Sequence, residues 1–409
     1  MRRYALFIDL TAAYDWCVRK WLFHTVFNRI NPSDTPTMNC VLIIEELYKK
    51  TLSCMKNEDD FFETSSGVRQ GGSESPCLFN LYLDYIMRLY EHEAKQNGLG
   101  VEFTFRIKDQ ARDKNEGSNY RGTGHYLWVG YADDLVITAT SSAKLQISAN
   151  ILSNLLNRFG LVISISKTKT MILNYKGDDY PETILSIGNE KIDNVKEFVY
   201  LGSLVTFNEP GVADSEVNRR IGMALNKFSE IKKLLCNYRI HLKIRLRYYE
   251  VYIRSRLCYA CGTWTLTKKQ YERFESVHIG FLRRMIRDGM SRKSTKKEIL
   301  NARNKAEHGE NEDLESVNWE WKYSNNKILT ITKAKSLKSF IDNQNLKWVS
   351  HVIRGSNETL TKQLMFPDER FKKRGRHHET VLEKVVKLQN IEQGKSAETF
   401  LRECLNRHF

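Results

Sequence analysis

Two adjacent carboxylates, Asp133 and Asp134, stand between two short apolar runs, Tyr126–Tyr131 and Leu135–Ala139. Runs of that length and composition predict two strands, with Ala132-Asp133-Asp134 as the turn between them. A third acid, Asp9, stops another apolar run, Tyr4–Ile8, which reads as a buried strand. Taken singly, Asp9 reads as a strand-end cap and Asp133-Asp134 as ordinary turn chemistry, since Asp is a preferred turn residue. Together they carry a cost, because like charges so close repel and raise one another's pKa. A divalent cation removes that cost. Hard oxygen ligands from strand-end and hairpin aspartates are what Mg²⁺ takes alongside substrate phosphates. Two such ions about 3.5–4 Å apart can clamp the attacking and leaving oxygens of a phosphoryl displacement.

The remainder of the 409-residue chain suits a phosphate-bearing partner. The formal net charge is +15, and such an excess points to polyanions, nucleic acid or an anionic membrane surface. No stretch approaches the roughly 20 apolar residues of a membrane helix; the run at Val41–Ile44 is far too short. The opening segment lacks a cleavage site and is too short for a signal peptide. Eight scattered cysteines read as reduced thiols. The expectation is an intracellular protein, nuclear or cytoplasmic and not secreted. Only 22 glycines and 6 prolines exclude collagen-like and low-complexity chains and leave room for long helices.

Helical spacing recurs over Asn39–Leu52 and along Leu78, Leu81, Tyr82, Tyr85 and Leu89. Ser75-Pro76 supplies an N-cap and a first-turn proline for the second of these. Ser141/Ser142 and Gly160 bracket a further helix. Strands are expected at Val101–Ile107, Leu161–Ile165, Thr170–Leu173 and Phe198–Thr206, with a polar loop over 108–123. Past Glu209-Pro210-Gly211 the pattern turns to long helices dense in Lys and Arg.

Five segments then fall into a known order. Phe7-Ile8-Asp9-Leu10-Thr11-Ala12-Ala13-Tyr14-Asp15 resembles the first catalytic motif of reverse transcriptases. Gly67–Pro76, with Leu78–Asp84 following, is similar to the second, and Tyr131-Ala132-Asp133-Asp134 to the third, the family's hallmark. Gly160–Thr170 resembles the fourth, and Phe198-Val199-Tyr200-Leu201-Gly202 the primer grip. The style of the second motif and of the segments after the thumb resembles that of a non-LTR (LINE-type) retrotransposon enzyme.

The resemblance implies an α+β right-hand polymerase palm, an antiparallel sheet with packed helices, followed by a helical thumb. It implies an RNA-directed DNA polymerase that adds dNTPs to a primer 3′-OH on an RNA template with two Mg²⁺ ions, Mn²⁺ being able to replace them. Asp9, Asp133 and Asp134 would be the catalytic and metal-binding acids, with the Leu10 carbonyl a further ligand. Tyr14 falls where the family places its steric gate against ribonucleotides, which argues against an RNA-dependent RNA polymerase. Gln70 and Gly71 would line the incoming nucleotide, where glycine permits close approach. Lys167 reads either as proton donor to departing pyrophosphate or as a solvated lysine, and Arg69 either as a phosphate or template contact or as solvated. Tyr200, Leu201 and Gly202 would form the primer grip. Gly72-Ser73 departs from the family's common Cys-Pro, and Ser164 from its common Asn.

By this reading, 1–207 is palm with partial fingers, 208–288 thumb, 289–315 a polar linker and 316–409 a basic, helix-leaning segment. Arg219, Arg220, Lys232 and Lys233 lead a run of cations, which also includes Arg245, that is expected to track phosphates. Cys258 and Cys261 lack a second pair at zinc spacing and read as packed thiols; the run Arg370–Arg376 before His377-His378 reads as a solvated charge run. Because Asp9 lies so near the first residue, the chain is expected to be an N-terminally truncated fragment with reduced or no activity. The rival is a non-catalytic nucleic-acid-binding remnant of a decayed element.

Overall fold

The structure is a computed structural model that describes residues 3–54, 60–108, 119–175, 180–181, 183–208, 212–287, 289–290, 292–294, 319–366, 380–393, 399–400 and 404. The chain divides into two compact units, one mainly Met1–Ile107 with Asn119–Glu209, the other mainly Pro210–Met365 with Lys373–Phe409.

In the first unit the strands are β1 (Arg3–Ile8), β2 (Thr51–Cys54), β3 (Phe61–Thr64), β4 (Val101–Lys108), β5 (Asn119–Tyr126) and β6 (Trp128–Tyr131). They continue with β7 (Asp134–Ala139), β8 (Lys169–Leu173), β9 (Leu185–Ile187), β10 (Glu190–Asn194), β11 (Glu197–Tyr200) and β12 (Ser203–Thr206). The helices are α1 (Ala13–Trp16), α2 (Arg19–Phe27), α3 (Thr35–Lys49), α4 (Ser75–Gln96) and α5 (Ser142–Arg158).

A six-stranded sheet runs β6-β7-β1-β8-β10-β9, antiparallel except where β10 lies parallel to β8. β1 is central, which is why its sequence is apolar without alternation. Leu6 and Ile8 enter the main core with α4 and α5, while Ala5 and Phe7 enter a smaller core with Val136, Met171 and partly buried Phe198 and Tyr200. Along α4, buried Leu78, Tyr82, Ile86 and Tyr90 recur every four residues, the period of one helix face. The α+β expectation holds.

Several elements differ from expectation. Leu161–Ile165 is not a strand: it crosses the end of β1, Thr11 N–H donating to the Val162 carbonyl and Ser164 N–H to the Asp9 carbonyl, with one bridge between Leu10 and Ile163. Phe198–Thr206 is the hairpin β11–β12 rather than one strand. Part of the expected loop 108–123 is strand, since β5 begins at Asn119. Glu74, not Ser75, is the N-cap of α4, and the Ser75 hydroxyl bonds that of Tyr48 instead. Helices α1 and α2 and the β2–β3 hairpin had no clear signal in the sequence.

The second unit contains α6 (Asp214–Glu230), α7 (Lys232–Leu235), α8 (Leu242–Tyr249), a π-helical segment at Glu250–Arg254, α9 (Ser255–Leu257) and α10 (Lys268–Met285). Helices at Asn325–Thr332 and Leu337–Arg354 share its core, Ile328, Leu337 and Ile341 joining Phe228, Tyr249, Phe274 and Phe281. Asn345 ties this core together, its amide donating to the Cys261 and Gly262 carbonyls at 3.0 and 2.8 Å. Cys258 and Cys261 are buried free thiols here. In the expected linker 289–315, Arg292–Ser294 pairs with Trp319–Trp321; most of that stretch, Glu209-Pro210-Gly211, and the run Arg370–Arg376 with His377-His378 lie outside the described residues. Among the described residues no helix is long and apolar enough to cross a membrane.

Candidate active site

Register brings the acids together. β1 pairs with β7 through Ile8 opposite Leu135; one further step sets Asp9 beside Asp134, and directly opposed residues of an antiparallel pair share a face. β6 and β7 close with Tyr131 opposite Asp134, leaving Ala132-Asp133 as a two-residue turn. Both favoured turns of that length need positive φ at the first central residue, and Ala132 supplies it at 51° without being glycine. Ala12 (φ 41°), just after the first motif's acid, and Leu201 (φ 46°), at the tip of β11–β12, are strained in the same way. Such strain persists where surrounding structure over-determines the backbone, and it clusters at active sites.

Two cavities meet at Asp9. One, about 430 Å³, is lined by Asp9, Leu10, Tyr14, Gln70, Gly71 and Asp133, with Lys167 at its edge. The other, about 440 Å³, is lined by Asp9, Asp134, Lys167, Tyr200, Leu201 and Gly202 among others. Every residue expected at the metal, nucleotide and primer grip therefore faces one of two adjoining spaces within the first unit.

The electrostatics are those of crowded negative charge. Burial first, then the charges of Asp133 and Asp9, raise the Asp134 carboxyl above the ordinary carboxylate range. Lys167 Nζ lies 3.3 Å from Asp9 Oδ2 as an ion pair. Its approach does not have hydrogen-bond geometry, so the buried Oδ2 has no hydrogen-bond partner. The Tyr14 ring stacks on Phe79 of α4 at 4.8 Å, and burial, then Asp133, raise its hydroxyl pKa. The Tyr200 hydroxyl donates to the Asp134 carbonyl at 3.2 Å, and Phe198 stacks on Phe7 at 4.6 Å, fastening the β11–β12 hairpin to the sheet.

Do these residues fit a divalent cation? Among the described residues no three His, Cys, Asp or Glu side chains gather into a metal-holding group, so the three aspartates do not close into one cage around an ion. Asp9 is instead shared, with Asp133 on one cavity and Asp134 on the other. Mg²⁺ is usually held in this way, by one or two carboxylates completed by substrate phosphates and water. The unbonded, buried Asp9 oxygen and the all-oxygen donor set fit such an ion.

The nucleotide-side loop is held by a residue that motif reading passed over. Arg19 donates to the carbonyls of Tyr48 (2.9 Å), Thr64 (2.6 Å), Ser66 (2.8 Å) and Gly67 (2.9 Å). Gly67 has φ +80°, and a Cβ there would meet the Tyr14 and Asp15 carbonyls at 2.9 Å, so only glycine lets this loop lie on the first motif. Gln70 Nε2 then reaches Asp15 Oδ1 at 2.9 Å. Arg69 rests on the Tyr48 ring at 5.2 Å, anchoring the loop. The available signal for Arg19 was two cations, Arg19 and Lys20, opening a helix, where the dipole disfavours them.

Two of the expected phosphate-tracking arginines, Arg220 and Arg245, require correction. Arg220 is buried, ion-paired to buried Glu216 at 2.6 Å and set over the Tyr259 ring at 4.7 Å. Arg219 pairs with the same Glu216 at 3.0 Å. Arg245 is buried against the Ile240, Leu235 and Met285 carbonyls. Glu216 four residues before Arg220 is the helical ion-pair spacing, and it outweighed the charge count. Lys232 and Lys233 are exposed.

Among solved structures, telomerase from Candida albicans in complex with the TWJ fragment of telomeric RNA is similar at 14% identity and TM-score 0.30, covering 69% of this chain. The chain spans 44% of the length of that telomerase chain. No curated protein matches the chain. The family model described as reverse transcriptase (RNA-dependent DNA polymerase) matches residues 1–205, half of the chain and the whole stretch that forms both cavities. The chain belongs to the reverse transcriptase family.

Proposed function

We propose that the chain is the catalytic part of an RNA-directed DNA polymerase of non-LTR retrotransposon type, adding dNTPs to a primer 3′-OH on an RNA template. The observation that carries this is the meeting of two cavities at Asp9, one suited to a nucleotide and the other to a primer end. The retroelement type rests on the resemblance of the Gly67–Asp84 segment and of the segments after the thumb. Residues 1–207 would act as palm and part of the fingers, and 208–288 as thumb.

Asp9 and Asp133 would hold one divalent ion and Asp9 with Asp134 a second, the Leu10 carbonyl adding a ligand. Bound Mg²⁺ or Mn²⁺ would supply activation of the attacking oxygen and neutralisation of the leaving phosphate. The chain's own residues then position the reactants, which is most of what phosphoryl transfer asks of a protein. Gly71, with φ +87° and open space where a Cβ would stand, lets backbone approach the nucleotide. Tyr14, braced by Phe79, walls the sugar. Tyr200, Leu201 and Gly202 would set the primer end, and Lys167, which lines both cavities, would give a proton to the departing pyrophosphate.

The test pairs Mn²⁺ binding, read by electron paramagnetic resonance, with primer extension on an RNA template. Asp9→Asn and Asp133→Asn should each lose tight Mn²⁺ binding and any dNTP extension that the parent chain shows. A parent chain that binds Mn²⁺ no better than the Asp9→Asn/Asp133→Asn double variant would reduce the protein to a non-catalytic nucleic-acid binder.

A further inference from the structure

A second site of different chemistry lies in the helical unit. Tyr248 of α8 and Tyr252 of the following π-helical segment stack with ring centroids 6.0 Å apart and planes within 13°. Each is 40% exposed, so the pair is not part of the core. They wall a cavity of about 410 Å³ with Lys227, Lys233, Leu234 and Glu230. Lys227 Nζ stands 5.7 Å from the Tyr252 ring centroid and pairs with Glu230 at 2.5 Å. Exposed Lys232, Lys243 and Arg247 flank the same helices in sequence.

Two features point to an unstacked nucleobase as occupant. Parallel exposed rings between cations combine the parts that bind single strands: an aromatic face for the base and positive charge for the backbone. A paired base in a duplex keeps both faces covered by its neighbours and cannot use such a platform. The π turn adds an independent indication, because such turns are rare and occur mostly at functional sites. Tyr252 lies within it.

We propose that the Tyr248–Tyr252 platform, with Lys227 and Lys233, binds single-stranded nucleic acid by base stacking, at a site built from residues of the helical unit alone. Glu230 is the one acid on the lining and weakens the site by repelling the backbone. The proposal does not depend on catalysis, since no residue of the two polymerase cavities lines this platform.

The experiment measures fluorescence anisotropy of the full chain with a labelled single-stranded RNA and, separately, a hairpin duplex RNA. Stacking contributes enough per base that Tyr248→Ala/Tyr252→Ala should weaken single-strand binding about tenfold or more while leaving duplex binding unchanged. Tyr248→Phe/Tyr252→Phe should retain it, since the stacking faces remain, and Glu230→Gln should tighten it. Three results would overturn the proposal: unchanged single-strand binding by the alanine variant, equal loss of single-strand and duplex binding, or a phenylalanine variant as weak as the alanine one.

Discussion

At the residue scale, the same residue type meets opposite fates according to what surrounds it. Asp9 leaves one buried oxygen without a hydrogen bond, beside the Lys167 ammonium at 3.3 Å, while Glu216, also a carboxylate, is ion-paired to two arginines. The first is poised for an outside ligand; the second is a structural tie. Tyr14 belongs with Asp9, since its ring is braced on one face by Phe79 and borders a cavity. A pocket wall that rejects an added hydroxyl discriminates by up to about a hundredfold. Tyr14→Ala should therefore relax preference for dNTPs over rNTPs by roughly tenfold or more, and Tyr14→Phe should preserve it, as read by extension with each nucleotide class. Unaltered selectivity in the alanine variant would make Tyr14 a core aromatic. The motif made Asp9 and Tyr14 legible, because their spacing is carried in the chain itself. Arg220 misled, because charge counted along a sequence does not say which cations find buried partners.

At the element scale, the site depends on loops whose placement is set by partners far away in sequence. The loop from Ser65 to Gly71 contains no regular structure of its own; Arg19 of α2 ties it to α3, and Val68 N–H donates to the Tyr14 carbonyl of the first motif at 2.8 Å. Hydrogen bonds to a charged donor contribute about 1.5–3 kcal/mol each where they are buried. Arg19→Ala should therefore raise amide exchange at Gly67 and Val68 at least tenfold and weaken dNTP binding, and Arg19→Lys should recover little, since an ammonium lacks the planar fork. Exchange as slow as in the parent would show that Gly67 and its backbone bonds hold the loop unaided. The expected strand at Leu161–Ile165 failed for a related reason. Its run of apolar residues suits a strand, but its backbone bonds go to the loop after β1, where they set Lys167 beside Asp9.

At the scale of the whole molecule, each unit has its own core, and the helical unit buries a histidine within its core. In the helical unit, burial pushes His278 down to about 4 from 6.5, outweighing a backbone hydrogen bond that pulls the other way. Its ring accepts or donates at 2.6 Å with the Tyr249 hydroxyl. A histidine held neutral in the folded state contributes stability that is full above pH 6.5 and is lost as pH falls toward about 4. The unit should lose about 2 kcal/mol between pH 7 and pH 5, measured by urea unfolding, and His278→Gln should flatten that dependence. A parent protein equally stable at both values would mean that the ring is protonated in the fold. The sequence by itself determined the order of the motifs, the acids at strand ends and the surplus of positive charge, because each is a property of local composition and spacing. Only the tertiary structure decided that Asp9 is shared between two cavities, that Arg19 anchors the nucleotide loop, and that Arg220 and Arg245 face inward while Tyr248 and Tyr252 face out. Those outcomes depend on which distant backbone carbonyls and side chains come within hydrogen-bond reach, and that is settled by packing rather than by neighbours along the chain.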